Sequence, residues 1–205
     1  GVEQDYTEAM RWYRLAADQS ASQAQYNLGL LYYFGDGVTQ DYANAFRWVR
    51  FAADQGLPRA ERRVGVMYLK GLGVGQDYVE AVRWFKLAAV QGDSEAQFNL
   101  GLMHTQGKGV LQDYVEAVRW CKLAAAQGNQ SAQNHLSLMY AGGLGVSQDY
   151  LKAHMWANLS AAAAAANKTA QKSRDVIAAE MTSQQIAKAQ AMAKKCLASK
   201  YKDCE

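Results

Sequence analysis

A tryptophan recurs every 36 residues, at Trp12, Trp48, Trp84, Trp120 and Trp156, and each follows an Asp-Tyr pair, beginning with Asp5/Tyr6 and ending with Asp149/Tyr150. Glycines keep the same register at Gly29, Gly65 and Gly101, and again at Gly35, Gly71, Gly107 and Gly143. A fixed period of this length marks a solenoid, in which each unit packs only on its neighbours. Half of the residues are hydrophobic and Pro58 is the single proline, a composition that suits a helical array far better than a disordered chain.

Each period divides into two helical segments. From Asp77 onward, Tyr78, Ala81, Trp84, Leu87 and Ala88 fall at three- and four-residue steps, which makes one buried helical face. Asp77 occupies the N-cap position with Glu80 three residues on, and Asp5/Glu8 and Asp113/Glu116 repeat that reciprocal capping arrangement. Gly56, Gly92 and Gly128 stand where a left-handed residue closes a helix. The other segment, Ala96-Gln-Phe-Asn-Leu-Gly-Leu-Met-His, turns Ala96, Leu100, Gly101 and Met103 to its apolar side, and Gly101 lets two helices approach closely. The expected fold is all-α.

The residues Ala-Gln-Phe-Asn-Leu-Gly-Leu-Met, Gly-x-Gly-Val, Gln-Asp-Tyr, Ala, Trp and Ala-Ala resemble the Sel-1-like repeat family, a relative of the tetratricopeptide repeat. The resemblance covers residues 1–164. It implies an α/α solenoid, a right-handed superhelix of helix-turn-helix units, that works as an interaction scaffold and in bacteria is often exported. On the family's frame, 1–20 is an orphan second helix, and full units run 21–56, 57–92, 93–128 and 129–164. Because an end unit without a neighbour exposes its apolar face, Gly1 reads as a boundary inside a longer parent, with a signal peptide removed upstream.

Beyond residue 164 the period fades. Asn158 to Ala166 prolongs the last repeat helix, a helix follows over about 169–181, and Thr182 to Gln185 caps another that runs to about Ser199. Residues 165–205 resemble the C-terminal helices that close bacterial members of the family. This cap is rich in lysine, which reads first as a solvated face and second as a docking site for an acidic partner.

Cys121 stands in the slot of Tyr13, Val49, Phe85 and Ala157 and is read as a small core residue. Cys196 and Cys204 flank the end of the last helix, eight residues apart. A similar spacing links helices in cysteine-rich exported members of the family, so the resemblance implies a disulfide and a periplasmic or secreted location. Nothing suggests catalysis or a cofactor: the histidines lack metal-ligand spacing, and no phosphate loop, nucleophile elbow or Ser-x-x-Lys signature occurs. A net charge of +3, with no basic stripe in the repeats, argues against nucleic acid. No apolar run is long enough to span a membrane.

Comparing units with one another separates shared core from variable surface. The tetratricopeptide-like groove positions include Tyr26, Leu30, Tyr33 and Phe34 in the first full unit, Arg59, Arg62 and Lys70 in the second, and Phe98 in the third. The run Arg59, Glu61, Arg62, Arg63 departs most from its sister units, since Arg63 replaces the usual Asn and Arg62 an aromatic. Aromatics beside arginines have the composition of interface hot spots, so these residues are expected to hold a protein partner. Within that role the family resemblance suggests an envelope immunity protein that neutralises a secreted effector. The competing expectation is a factor that binds peptidoglycan fragments or regulates an envelope enzyme.

Overall fold

The computed structural model describes residues 6–162, 168–202 and 204. Among them are eleven helices and no strand: α1 (Tyr6–Asp18), α2 (Ser22–Phe34), α3 (Tyr42–Asp54), α4 (Pro58–Lys70), α5 (Tyr78–Val90), α6 (Ser94–Gln106), α7 (Tyr114–Ala125), α8 (Gln130–Gly142), α9 (Tyr150–Ala162), α10 (Lys168–Ala178) and α11 (Ser183–Ala198). The repeat therefore folds as paired helices. The expected continuation of the last repeat helix to Ala166 and the cap at Asp5 lie outside the described residues.

The motifs around each turn have separate jobs. Asp41 accepts from the Asn44 amide at 2.9 Å, and the Asp77 and Asp113 carboxylates each accept two amides of the following turn. Glu80 and Glu116 do not reach back to complete a reciprocal cap, as the sequence suggested. Their carboxylates pair with Arg83 and Arg119, one turn ahead, because the charged partner outcompetes a solvated amide. The glutamine of Gln-Asp-Tyr ties the loop down: Gln40, Gln76, Gln112 and Gln148 donate to the carbonyls of Tyr33, Leu69, Thr105 and Ala141 at 2.7–2.9 Å. Those carbonyls belong to the last turn of a helix, where no intrahelical donor is left.

The chain forms two compact units, residues 1–96 with 108–110, and residues 97–107 with 111–205. In the first, Trp84 is buried with Tyr26, Val49, Ala52, Ala53, Ala60 and Val64, while Trp48 packs with Ala17, Ala24 and Leu28. Each tryptophan thus sits against small residues at the end of the preceding pair. Trp12 has no earlier helix among the described residues and is 59% exposed, unlike its buried sisters. Gly65 is required by contact: a Cβ there would lie 2.7 Å from the Phe85 ring.

In the second unit, α8 packs on α7 and α9, and α9 also receives α10 and α11. One core joins Trp156, Leu136, Met139 and Met155 to Ile177, Ala193 and Cys196 of the C-terminal helices. Thr182 and Gln185 form a reciprocal capping box at the start of α11. Cys196 and Cys204 are joined by a disulfide across the end of α11, where Lys200 and Tyr201 adopt positive φ. Cys121 is free and buried, and burial pushes its thiol up to about 12, so no thiolate exists there near neutrality.

A polar ladder recurs within the units, each rung pairing a buried side chain with an exposed glutamine 30 residues later. Gln55 donates to Gln25 at 2.6 Å, Gln91 to Glu61 at 2.8 Å, and Gln127 to Gln97 at 2.9 Å. Glu61 is the charged exception. Burial raises its carboxyl above the usual glutamate value, the Gln91 amide opposes the rise, and Asp93 adds to it.

Candidate functional site

In the first unit, α2 ends in Tyr33 and Phe34, and the Gly35 turn that follows holds the helix end by donating its N–H to Leu31 O. The Tyr33 ring meets Phe34 edge-on at 5.0 Å and Tyr42 of α3 at 5.2 Å. Arg63 of α4 reaches across to this cluster, its guanidinium 4.8 Å from the Tyr33 ring centre and 6.0 Å from that of Phe34. Its Nε is buried without a hydrogen-bond partner, whereas Phe34 is 55% exposed. Arg59 and Lys70, at the two ends of α4, are exposed, and none of these three cations is paired with a carboxylate among the described residues.

Several expected site residues do other work. Tyr26 is not a groove anchor; it is 6% exposed and belongs to the core cluster that also holds Trp84 and the α3 residues Val49, Ala52 and Ala53, because burying its ring there removes apolar area from water. Leu30 is half-buried against the same core. Arg62 is not a free cation: its Nε binds the Asp93 carboxylate at 3.1 Å, and both side chains are largely covered. Asp93 also caps α6 by accepting from the Ala96 amide at 2.8 Å, so this pair fixes a helix start. Tyr33, Phe34, Arg59 and Lys70 remain accessible at least in part, and Arg63, singled out in the sequence only as a departure from Asn, is the residue that joins α4 to the aromatics.

Phe98 lies in the second unit, where it meets His135 edge-on at 6.2 Å and lines a cavity of about 340 Å³ with Ser131, Asn134, His135 and Thr169. Burial lowers the His135 pKa, which favours the neutral ring. The Thr105 hydroxyl donates to Gly101 O at 2.8 Å and lies 3.0 Å from His135 Nε2, so Nε2 carries the ring proton and donates to it.

Paired helices at a 36-residue period, with glycine at a close approach between paired helices at Gly29, Gly65 and Gly101, define an α/α solenoid related to tetratricopeptide arrays. The chain belongs to the Sel1 repeat family: Sel1 repeats match residues 1–20, 22–57, 58–93, 94–129 and 130–164. A protective antigen present in uropathogenic Escherichia coli strains, which displays an SLR fold, is 39% identical with a TM-score of 0.83, over 96% of this chain and 41% of that one. The chain thus spans less than half the length of that relative. A Sel1 repeat protein from Oxalobacter formigenes is 37% identical with a TM-score of 0.80, over 86% of this chain and 70% of its own. No curated protein matches. Sel1 repeat proteins generally serve as protein-interaction scaffolds and are typically non-enzymatic.

Proposed function

We propose that this protein is a bacterial envelope scaffold that binds a protein partner through the exposed aromatic and cationic patch of α2 and α4, in the manner of an immunity protein that occludes a secreted effector. One observation carries the reading: Arg63 lies across Tyr33 beside an exposed Phe34, with its Nε unpaired. Arg63 makes no ion pair among the described residues, and its cation is balanced only by the ring faces, so a partner carboxylate would complete it. A partner segment with an apolar anchor beside a carboxylate would seat the anchor on Phe34 and the carboxylate on Arg63 or Arg59. The disulfide of Cys196 and Cys204 supports a location outside the reducing cytoplasm.

The test is a photo-crosslinking residue placed at Phe34 in the producing cell. A discrete protein adduct is expected at Phe34, lost when Arg63→Asn is added, because Asn is the residue that the sister positions Asn27 and Asn99 carry. Against the purified partner, Arg63→Asn or Phe34→Ala should each weaken binding by at least about 2 kcal/mol while thermal stability holds. An adduct that forms only from Val79 on α5, and not from Phe34, would overturn the assignment.

A further inference from the structure

Helices α9, α10 and α11 line an open cavity of about 320 Å³ where the last matched repeat meets the C-terminal helices. Its floor is apolar, made by Leu159 and Ala193, which are 3% and 7% exposed, and Leu197 stands half-exposed at its rim. Asn158, Gln171 and Gln190 supply its uncharged polar lining. Asn158 Nδ2 lies 2.9 Å from Nδ1 of the buried His154, a contact that fixes the amide plane.

Two cations complete the lining, Arg174 from α10 and Lys194 from α11, and among the described residues no carboxylate side chain lines the cavity. Arg174 gives Nε and Nη2 to the exposed Asp175, which leaves its Nη1 edge unused by that pair. The surrounding segment is the basic part of the chain: residues 168–205 carry eight Lys or Arg against four Asp or Glu, a surplus of four, whereas the whole chain carries +3. The repeats therefore have a net charge of −1, and long-range attraction for an anion is focused at this end.

We propose that the cavity binds the C-terminal carboxylate of a peptide chain whose last side chain is apolar. The carboxylate would sit between Arg174 and Lys194, the terminal side chain on Leu159 and Ala193, and the last backbone amide against Asn158 and Gln190. An apolar floor with a few convergent polar groups is the common build of a small-ligand site, and this volume, at the low end of the roughly 300–1,000 Å³ range of such sites, admits a chain end rather than a folded surface. Separate single cations suit a monoanion with an apolar tail better than they suit phosphate, which calls for several donors converging on one group.

Calorimetric titration of the whole chain with N-acetyl-alanyl-leucine, its C-terminal amide, and a longer peptide with the same last two residues decides the matter. The acid and the longer peptide are expected to bind, and the amide at least about tenfold more weakly, since a charge-assisted hydrogen bond is worth about that much. Arg174→Gln and Lys194→Gln should each cause a similar loss for the acid with unchanged thermal unfolding, and Lys172→Gln, on α10 outside the cavity lining, should cause none. Lys194 is exposed, so its variant reads the site without threatening the fold. Equal affinity for acid and amide, no binding of the acid up to about 5 mM, equal losses from Lys172→Gln and Lys194→Gln, or exclusion of the longer peptide would each overturn the proposal.

Discussion

Replacing Glu61 with glutamine should stabilise the protein at neutral pH and leave it nearly unchanged in acid. Position 61 shares its register with Gln25, Gln97 and Gln133. The Gln25 amide donates to the carbonyl of Ala17, eight residues earlier, at 3.2 Å, and Gln133 donates to Ala125, also eight earlier, at 3.3 Å. The corresponding carbonyl for position 61 is that of Ala53, and an ionised carboxylate has no hydrogen to give it. Glu61 is 4% exposed, and burial followed by the nearness of Asp93 raises its pKa against the lowering effect of Gln91. A carboxyl whose folded pKa is raised stabilises the fold fully below the unfolded pKa, and that contribution is lost as pH rises through the folded pKa. Glutamine removes the loss and restores the missing donor. One net hydrogen bond plus relief of the buried charge amounts to about 1–2 kcal/mol, or roughly 2–8 °C in Tm for a chain of this size. The assay is thermal unfolding of both proteins at pH 7.5 and at pH 4, below the ordinary glutamate value of 4.5. Asp41, whose carboxylate the Asn44 amide holds below its ordinary value of 3.8, keeps its contribution at both pH values and is common to both proteins, so the difference between them isolates position 61. A Glu61→Gln gain that is absent at pH 7.5, or equal at the two pH values, would refute the reasoning.

Trp84→Ala should cost about 3–5 kcal/mol in chemical denaturation, because the indole is 3% exposed in a core of six other residues, whereas Trp12→Ala, 59% exposed, should cost less than about 1 kcal/mol. Gly65→Ala should destabilise by about 1–3 kcal/mol, and Phe85→Leu in the same chain should recover part of that loss, since the new Cβ would meet the Phe85 ring at 2.7 Å. Thiol titration of the denatured, unreduced chain should find one reactive group, Cys121, and three after reduction. In the native chain Cys121 should resist alkylation at pH 8, because it is buried and its pKa is about 12.

The helix pairs were legible because their signals are local and repeated. A carboxylate cap at Asp77 and Asp113, a helix-closing glycine at Gly92 and a capping box at Thr182 act within one turn of chain, so spacing alone exposes them. The glutamine ladder escaped that reading. Its partners are 30 residues apart, as in the buried Gln25 and the exposed Gln55, and nothing within one helix marks them as a pair. Side-chain routing at Glu80 was also hidden, since the choice between the N-cap amide and Arg83 depends on where the guanidinium stands.

The groove assignment failed at Tyr26 and Arg62 for one reason. Both occupy the same register position, which differs from unit to unit, and variation between units does not by itself mean exposure. The structure shows that variation there reflects different ways of filling the same half-covered slot: Tyr26 joins the buried cluster that holds Trp84, while Arg62, which cannot enter such a core without an anion, turns to Asp93. A buried or half-buried charge persists only with a partner, so a change to arginine at a packed position carries a second change with it, here Asp93. Arg63 differs from Arg62 in this respect. It also replaces the residue usual at its position, but no carboxylate accompanies it; the faces of Tyr33 and Phe34 stabilise its cation instead and leave Nε unsatisfied. The distinction between a structural arginine and one available to a partner therefore lies in which side chain meets the guanidinium, and adjacent residues in the sequence fall on opposite sides of it.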